Sequence, residues 1–210
     1  MGSTDKSFSV ISNGQVEGRL ENAHFEPINA IKHLEGDHVF ATGDDDGRIK
    51  IWDLRQAGSG TAKACAMEFK EHEGSITQFD YRAGKQMLLS VANDGMLGVW
   101  DLRKSELYAM SDSFSEDLSC VAVMKDGKKV ITASQEGTIN IFSWDWFGDC
   151  NDRIVGHPNA IDTMVKYDEN MVITGCEDGL IRAVSVLPNR IVAILGDPVE
   201  EEGENEGFFI

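Results

Sequence analysis

Four segments of this chain fall on one pattern. "FATGDDDGRIKIWDLR", "LLSVANDGMLGVWDLR", "VITASQEGTINIFSWD" and "VITGCEDGLIRAVSVL" align on Gly47, Gly95, Gly137 and Gly179, which lie 48, 42 and 42 residues apart. A partial copy, "GSTDKSFSVIS", puts Lys6 in the glycine slot, 41 residues before Gly47. A unit repeated at this spacing cannot bury its apolar face alone, so the copies must stack on one another.

Within each copy an acid-Gly turn separates two short β-rich runs, the form of a hairpin. Upstream, "INAIKHL", "ITQFDY", "LSCVAVM" and "AIDTMVK" predict an innermost strand. Downstream, "KACAMEF", "ELYAMS" and "NRIVAIL" predict an outer strand, although "CAMEF" is also helical by propensity. No segment keeps a helical apolar period for three turns. Repeats of roughly 40–45 residues ending in Trp-Asp mark the blades of a β-propeller. The prediction is an all-β, partial WD40-type propeller of about four four-stranded blades plus the end of another. The repeats run over about 1–23 (partial), 24–71, 72–114, 115–156 and 157–196. An acidic tail over 197–210, with Glu200, Glu201, Glu202, Glu204 and Glu206, is predicted to be solvated and disordered.

Polar residues recur at fixed offsets. Asp46 and Asp94 precede Trp52 and Trp100 by six residues, Thr42 and Ser90 by ten, and His24 and His72 precede the aspartates by 22. An indole N–H, a hydroxyl, an imidazole and a carboxylate can satisfy one another between buried strands. His24, Thr42, Asp46 and Trp52, with His72, Ser90, Asp94 and Trp100, are therefore read as two structural networks. They resemble the His–Ser/Thr–Asp–Trp tetrad of WD-repeat proteins. Ser90, His72 and Asp94 also have the composition of a catalytic triad. The copy in the preceding repeat argues against that, because a fold needs one bond set per blade and an enzyme needs one site. The third repeat decays to Glu136, Phe142 and Phe114 in the acid, Trp and His slots. In the fourth, Val184 takes the Trp slot and His157 falls one residue out of register, while Asp178 stays in the acid slot. Thr132 and Thr174 persist.

"TGDDDGRIKIWD" also matches the ligand spacing of a calcium-binding helix–loop–helix loop. The next copy, "SVANDGMLGVWD", loses ligands at its first and third positions, and the flanks are strands. No metal, cofactor or catalytic residue is assigned. Asp44 and Asp45 are left with no repeated structural role. The nucleotide and metal motifs of common enzymes, including a Walker A loop and a C-x-x-C pair, do not occur. "GSG" at Gly58–Gly60 reads as a flexible connection.

A net charge of −17 argues against a surface that tracks phosphates or an anionic membrane. Cys65, Cys120, Cys150 and Cys176 lie far apart and read as reduced residues. With no apolar run after Met1, a reducing compartment, cytoplasm or nucleus, is expected.

"GKKVITASQEGTINIFSWDWFG", "MVITGCEDGLIRAVSVLPNRIV" and "INAIKHLEGDHVFATGDDDGRIKIWDLR" resemble the WD repeat-containing protein 55 family, from about Asp5 to Glu201. The resemblance implies a seven-bladed propeller, longer than the four repeats and the end of a fifth seen here, and continuing into further blades and a basic tail. Such a partial ring is expected to leave edges that favour self-association. The resemblance also implies a non-enzymatic scaffold in the nucleolus and nucleus. Its role there would be ribosomal RNA processing and large-subunit biogenesis, with pre-ribosomal factors as partners; the net charge of −17 argues against direct nucleic-acid contact by this chain.

Candidate contact residues come from three places. The boxes Trp52-Asp53-Leu54-Arg55 and Trp100-Asp101-Leu102-Arg103 resemble the motif by which WD-repeat substrate receptors dock on the damaged-DNA-binding adaptor of cullin ubiquitin ligases. They make Asp53, Arg55, Asp101 and Arg103 candidates and a ligase receptor the alternative function. "SWDWFGDC" is an aromatic insertion that serves as a hot spot if exposed and as core filler if folded back, with burial favoured. Trp146 is its candidate. Arg182 and the turn Leu187 to Arg190 are expected on the rim.

Overall fold

The computed structural model describes residues 2–12, 15–36, 38–59 and 64–195. A hairpin of β1 (Phe8–Ser12) and β2 (Gln15–Leu20) comes first. Four antiparallel four-stranded sheets follow, each pairing its strands in chain order. The first blade is β3 (Ile28–His33), β4 (Val39–Asp44), β5 (Ile49–Asp53) and β6 (Cys65–Phe69). The second is β7 (Ile76–Arg82), β8 (Met87–Ala92), β9 (Leu97–Asp101) and β10 (Glu106–Met110). The third is β11 (Leu118–Met124), β12 (Lys129–Ser134), β13 (Ile139–Ser143) and the short β14 (Asp152–Ile154). The fourth is β15 (Ile161–Lys166), β16 (Met171–Cys176), β17 (Ile181–Ser185) and β18 (Arg190–Ile194). The ambiguous "CAMEF" is strand β6, because it completes a sheet that β5 alone would leave open. Leu54–Ser59 forms a 3-10 turn. The rest of the Gly-Ser-Gly connection and the acidic tail lie outside the described residues.

The turn glycines do what their alignment demands. Gly47, Gly95 and Gly137 have φ of 78°, 73° and 78°, where a side chain is strained. They are also crowded from the next blade. A Cβ built on them would fall 2.4, 2.3 and 2.5 Å from the carbonyl oxygens of His72, Phe114 and His157. Lys6, in the same slot of the partial copy, takes φ 68° and accepts the His24 N–H at 3.3 Å.

The first strands β3, β7, β11 and β15 lie side by side. Each carries a bulge near its start, and in β3, β7 and β11 the bulged residue reaches the next blade. Asn29 Nδ2 donates to Ser75 Oγ at 2.7 Å. Thr77 Oγ1 reaches Leu118 O at 2.7 Å, and Ser119 Oγ reaches Ile161 O at 2.5 Å.

The core sits between blades rather than within them. Trp52 packs backward onto Phe8 of the hairpin, with ring centroids 5.1 Å apart, and Trp100 packs onto Phe69 of the first blade at 4.8 Å. Phe142 fills the corresponding seam with Leu89, Val91 and Leu97, and Val184 fills the last with Ile131 and Ile141.

Candidate protein-interaction surfaces

Two blades carry a closed polar chain. In the first, Trp52 Nε1 donates to Thr42 Oγ1 (2.7 Å), which lies 2.6 Å from His24 Nε2, and His24 Nδ1 is 2.7 Å from Asp44 Oδ2. In the second, Trp100 Nε1, Ser90 Oγ, His72 and Asp94 Oδ2 are linked by three contacts of 2.8 Å. A neutral imidazole with its proton on Nδ1 satisfies every member: indole donates to hydroxyl, hydroxyl to Nε2, Nδ1–H to carboxylate. Ser90 and Trp100 are wholly buried and His72 nearly so. Burial opposes ionisation of Asp44 and Asp94 and is the largest single influence. The His hydrogen bond and two backbone N–H groups at each together outweigh it and hold both carboxyls below the usual range.

One member of these networks differs from the sequence reading. The carboxylate of the first blade is Asp44, not Asp46. Asp44 ends β4, fully buried, and its Oδ1 accepts the N–H groups of Asp46 (3.1 Å) and Arg48 (2.9 Å), leaving Oδ2 for His24. Asp46 sits at the exposed turn tip and pairs with Lys70 and Arg48. In the second blade Ala92 stands in the slot of Asp44, so the tip residue Asp94 folds back instead. Ser134 fills the same slot in the third blade, and its Oγ caps the turn through Glu136 N and Thr138 N (3.3 and 3.2 Å).

The later blades lack the full chain. Thr132 Oγ1 is buried with no partner among the described residues, beside Phe114 and Phe142 packed edge to face at 6.0 Å. His157 reaches Thr174 Oγ1 at 3.1 Å despite its slipped register, but its buried Nδ1 has no partner among the described residues. Burial first, then the Arg182 charge, lower its pKa. Arg182 is not a rim residue. It is 6% exposed and lies in β17 opposite Thr174, with both terminal nitrogens on the Asp178 carboxylate (3.0 and 2.5 Å). It thus occupies the acid that would have completed the network through His157.

The two W-D-L-R boxes fold alike. Arg55 brings its backbone N and Nε to Asp53 Oδ1 (3.1 and 2.8 Å) and Nη2 to Oδ2 (2.7 Å). Arg103 does the same with Asp101 at 3.0, 3.1 and 2.9 Å. The arginine fork pulls the Asp53 carboxyl down to about 2 and lowers that of Asp101. The carboxylates are buried while the arginine side chains are 66% and 54% exposed. Each head is a pinned planar cation with one edge already used by its own strand.

The aromatic insertion divides. Phe147 is buried and packs edge to face on half-buried Trp144 at 5.4 Å, whereas Trp146 is 67% exposed. Its surroundings were not visible in the motif. Arg82 lies 4.0 Å over the Trp144 ring, Lys85 lies 5.2 Å from it, and the Tyr108 hydroxyl donates to Asp145 at 2.8 Å. Arg82 and Tyr108 come from β7 and β10 and Lys85 from the turn after β7, and no spacing rule links them to the insertion.

An open cavity of about 510 Å³ adjoins this patch where β7, β11 and β15 end. Its acids are largely engaged: Asp80 by Lys32 and the Val123 N–H, Glu169 by Lys166 and the Asp126 N–H. Among the described residues no cluster of three or more His, Cys, Asp or Glu is arranged to hold a metal, and no helix is long and apolar enough to cross a membrane.

The WDR55 family model matches residues 1–205. The chain is similar to WD repeat-containing protein 55 of Rattus norvegicus, 41% identical over 205 residues that make up 95% of this chain and 52% of that protein. The Homo sapiens protein of the same name is 40% identical over 205 residues, again 95% and 52%. That of Arabidopsis thaliana is 37% identical over 195 residues, 91% and 53%. The chain spans about half the length of the curated relatives it matches.

Proposed function

Because the chain belongs to the WD repeat-containing protein 55 family, we propose that it serves as a non-enzymatic scaffold in nucleolar ribosomal RNA processing and large-subunit assembly. The observation that carries the scaffold reading is the closure of the Ser90–His72–Asp94 set. Ser90 and His72 are buried, and every polar atom of the set is bonded to Trp100, to a neighbour in the set or to a turn N–H. A nucleophile needs an open face toward its substrate, and Ser90 has none. What the surface offers is contact chemistry: pinned arginines at two strand ends and an exposed tryptophan on a loop. The nucleolar role follows the family resemblance. Depletion of the protein followed by blotting of ribosomal RNA precursors tests it, with accumulation of large-subunit precursors as the expected result. A normal precursor pattern would overturn the proposal.

A further inference from the structure

The seam between the second and third blades holds a cation without an acid. Arg82, at the end of β7, is stacked on Trp144. On its other side a Cβ built at Gly127 would fall 2.4 Å from Arg82 Nε, so the guanidinium lies flat against that turn. Its Nη1 is buried, and Arg82 has no hydrogen-bond acceptor among the described residues. Arg19, Arg48, Arg55, Arg103 and Arg182 each hold a carboxylate, whereas Arg82 on the Trp144 ring, like Arg153 on the Phe114 ring, holds none among the described residues. Lys85, beside the same ring, has only Asp145 at 3.9 Å.

A guanidinium held flat between an aromatic ring and a glycine turn is already ordered, so a carboxylate meeting its Nε and Nη2, the edge away from the buried Nη1, gains two parallel bonds at little entropic cost. In the same insertion Trp146, one residue before Phe147, is 67% exposed, and Tyr108, which packs on Phe147, is 44% exposed; these are aromatic types that carry binding energy when a partner covers them. Their connection is continuous: Tyr108 packs edge to face on Phe147, Phe147 on Trp144, and Trp144 under Arg82.

We propose that this surface docks an acidic segment of a partner protein, with one carboxylate seated on Arg82 and a neighbouring apolar side chain covering Trp146 and Tyr108. The proposal rests on the scaffold reading and gives it a partner chemistry. Asp126, Asp145 and Glu169 stand around the same cations, so a segment that seats a single carboxylate meets less repulsion than a nucleic-acid strand with a charge on every nucleotide.

The test uses the full chain and a fluorescein-labelled ten-residue peptide in which glutamates flank a Leu-Phe pair, read by anisotropy. A second peptide has lysine for each glutamate, and a ten-nucleotide oligouridylate is the third probe. The acidic peptide is expected to bind at least about tenfold more tightly than the basic one, and Arg82→Met and Trp146→Ala are each expected to weaken it about tenfold. Trp146→Ala and Lys85→Met alter exposed or half-exposed positions, so they report on the patch even where Arg82→Met disturbs the seam. Equal binding of the two peptides would overturn the proposal, as would binding indifferent to Trp146→Ala and Lys85→Met. So would capture of the oligouridylate in place of the acidic peptide. Absence of peptide binding alongside a precursor defect on depletion would remove the docking site and leave the scaffold reading standing. Peptide binding with normal precursors would do the reverse.

Discussion

The second and third blades have the same four-strand layout and opposite interiors. In the second, Trp100, Ser90, His72 and Asp94 form a buried chain of hydrogen bonds. In the third, Phe142, Thr132 and Phe114 occupy the corresponding places, and the threonine hydroxyl has no partner among the described residues. Yet both aromatic residues do the same work across the seam, Trp100 against Phe69 and Phe142 against Leu89, Val91 and Leu97. The difference teaches that filling the seam is the shared requirement. The polar chain is a second layer, present where an indole N–H has to be satisfied.

That view is most exposed to truncation of the seam residues themselves. Trp100→Ala and Phe142→Ala are each expected to cost about 3–5 kcal/mol in urea unfolding, as large-to-small core changes. A loss under about 1 kcal/mol for Phe142→Ala would show that the third blade is held by something else.

The hydroxyls separate the blades next. Thr42→Val leaves the Trp52 indole and the His24 ring without their shared partner and is expected to cost about 1–3 kcal/mol. Thr132→Val removes a hydroxyl that bonds nothing among the described residues, and is expected to be neutral or stabilising within about 1 kcal/mol. Equal losses in thermal unfolding would erase the distinction between the two interiors.

The smallest effect concerns the fourth blade, intermediate between the two. Burial and Arg182 lower the folded pKa of His157 below its ordinary 6.5, so the neutral ring is the form that folding favours. The stability tied to it is complete above the unfolded pKa and declines as pH falls below 6.5 toward the folded value. His157→Phe, which copies the third blade, is therefore expected to show a smaller fall in Tm between pH 7.5 and pH 5 than the parent chain. An unchanged fall would assign the pH dependence to other groups.

Much of the fold was legible because it is periodic. The alignment of Gly47, Gly95 and Gly137 located three left-handed turns, and the offsets of His24, Thr42 and Trp52 located residues that do touch. The carboxylate was misplaced for a local reason. Positions 44 and 46 flank the same turn, and a side chain from either can reach the imidazole, so spacing alone does not choose between them. Burial chooses, and burial is a property of the stack. Arg182 went astray similarly, since nothing in "LIRAV" says that Asp178 will draw the side chain inward. Contacts across seams, such as Arg82 with Trp144, join residues of different repeats through no fixed interval and left no trace in the sequence. The short β14 was equally invisible, with three residues and no alternation to announce it.

The crowding at the turn glycines has an evolutionary side. Gly47, Gly95 and Gly137 each offer a socket, a bare Cα, that the carbonyl of His72, Phe114 or His157 from the following repeat fills as a plug. A repeat with both a turn glycine and that carbonyl thus carries both halves of the joint, so copying a repeat copies the joint with it. Interiors are then free to drift, as those of the third and fourth blades have, while the joint stays fixed. The number of blades in such a protein is set by copying, and its chemistry by what happens afterwards on the rims.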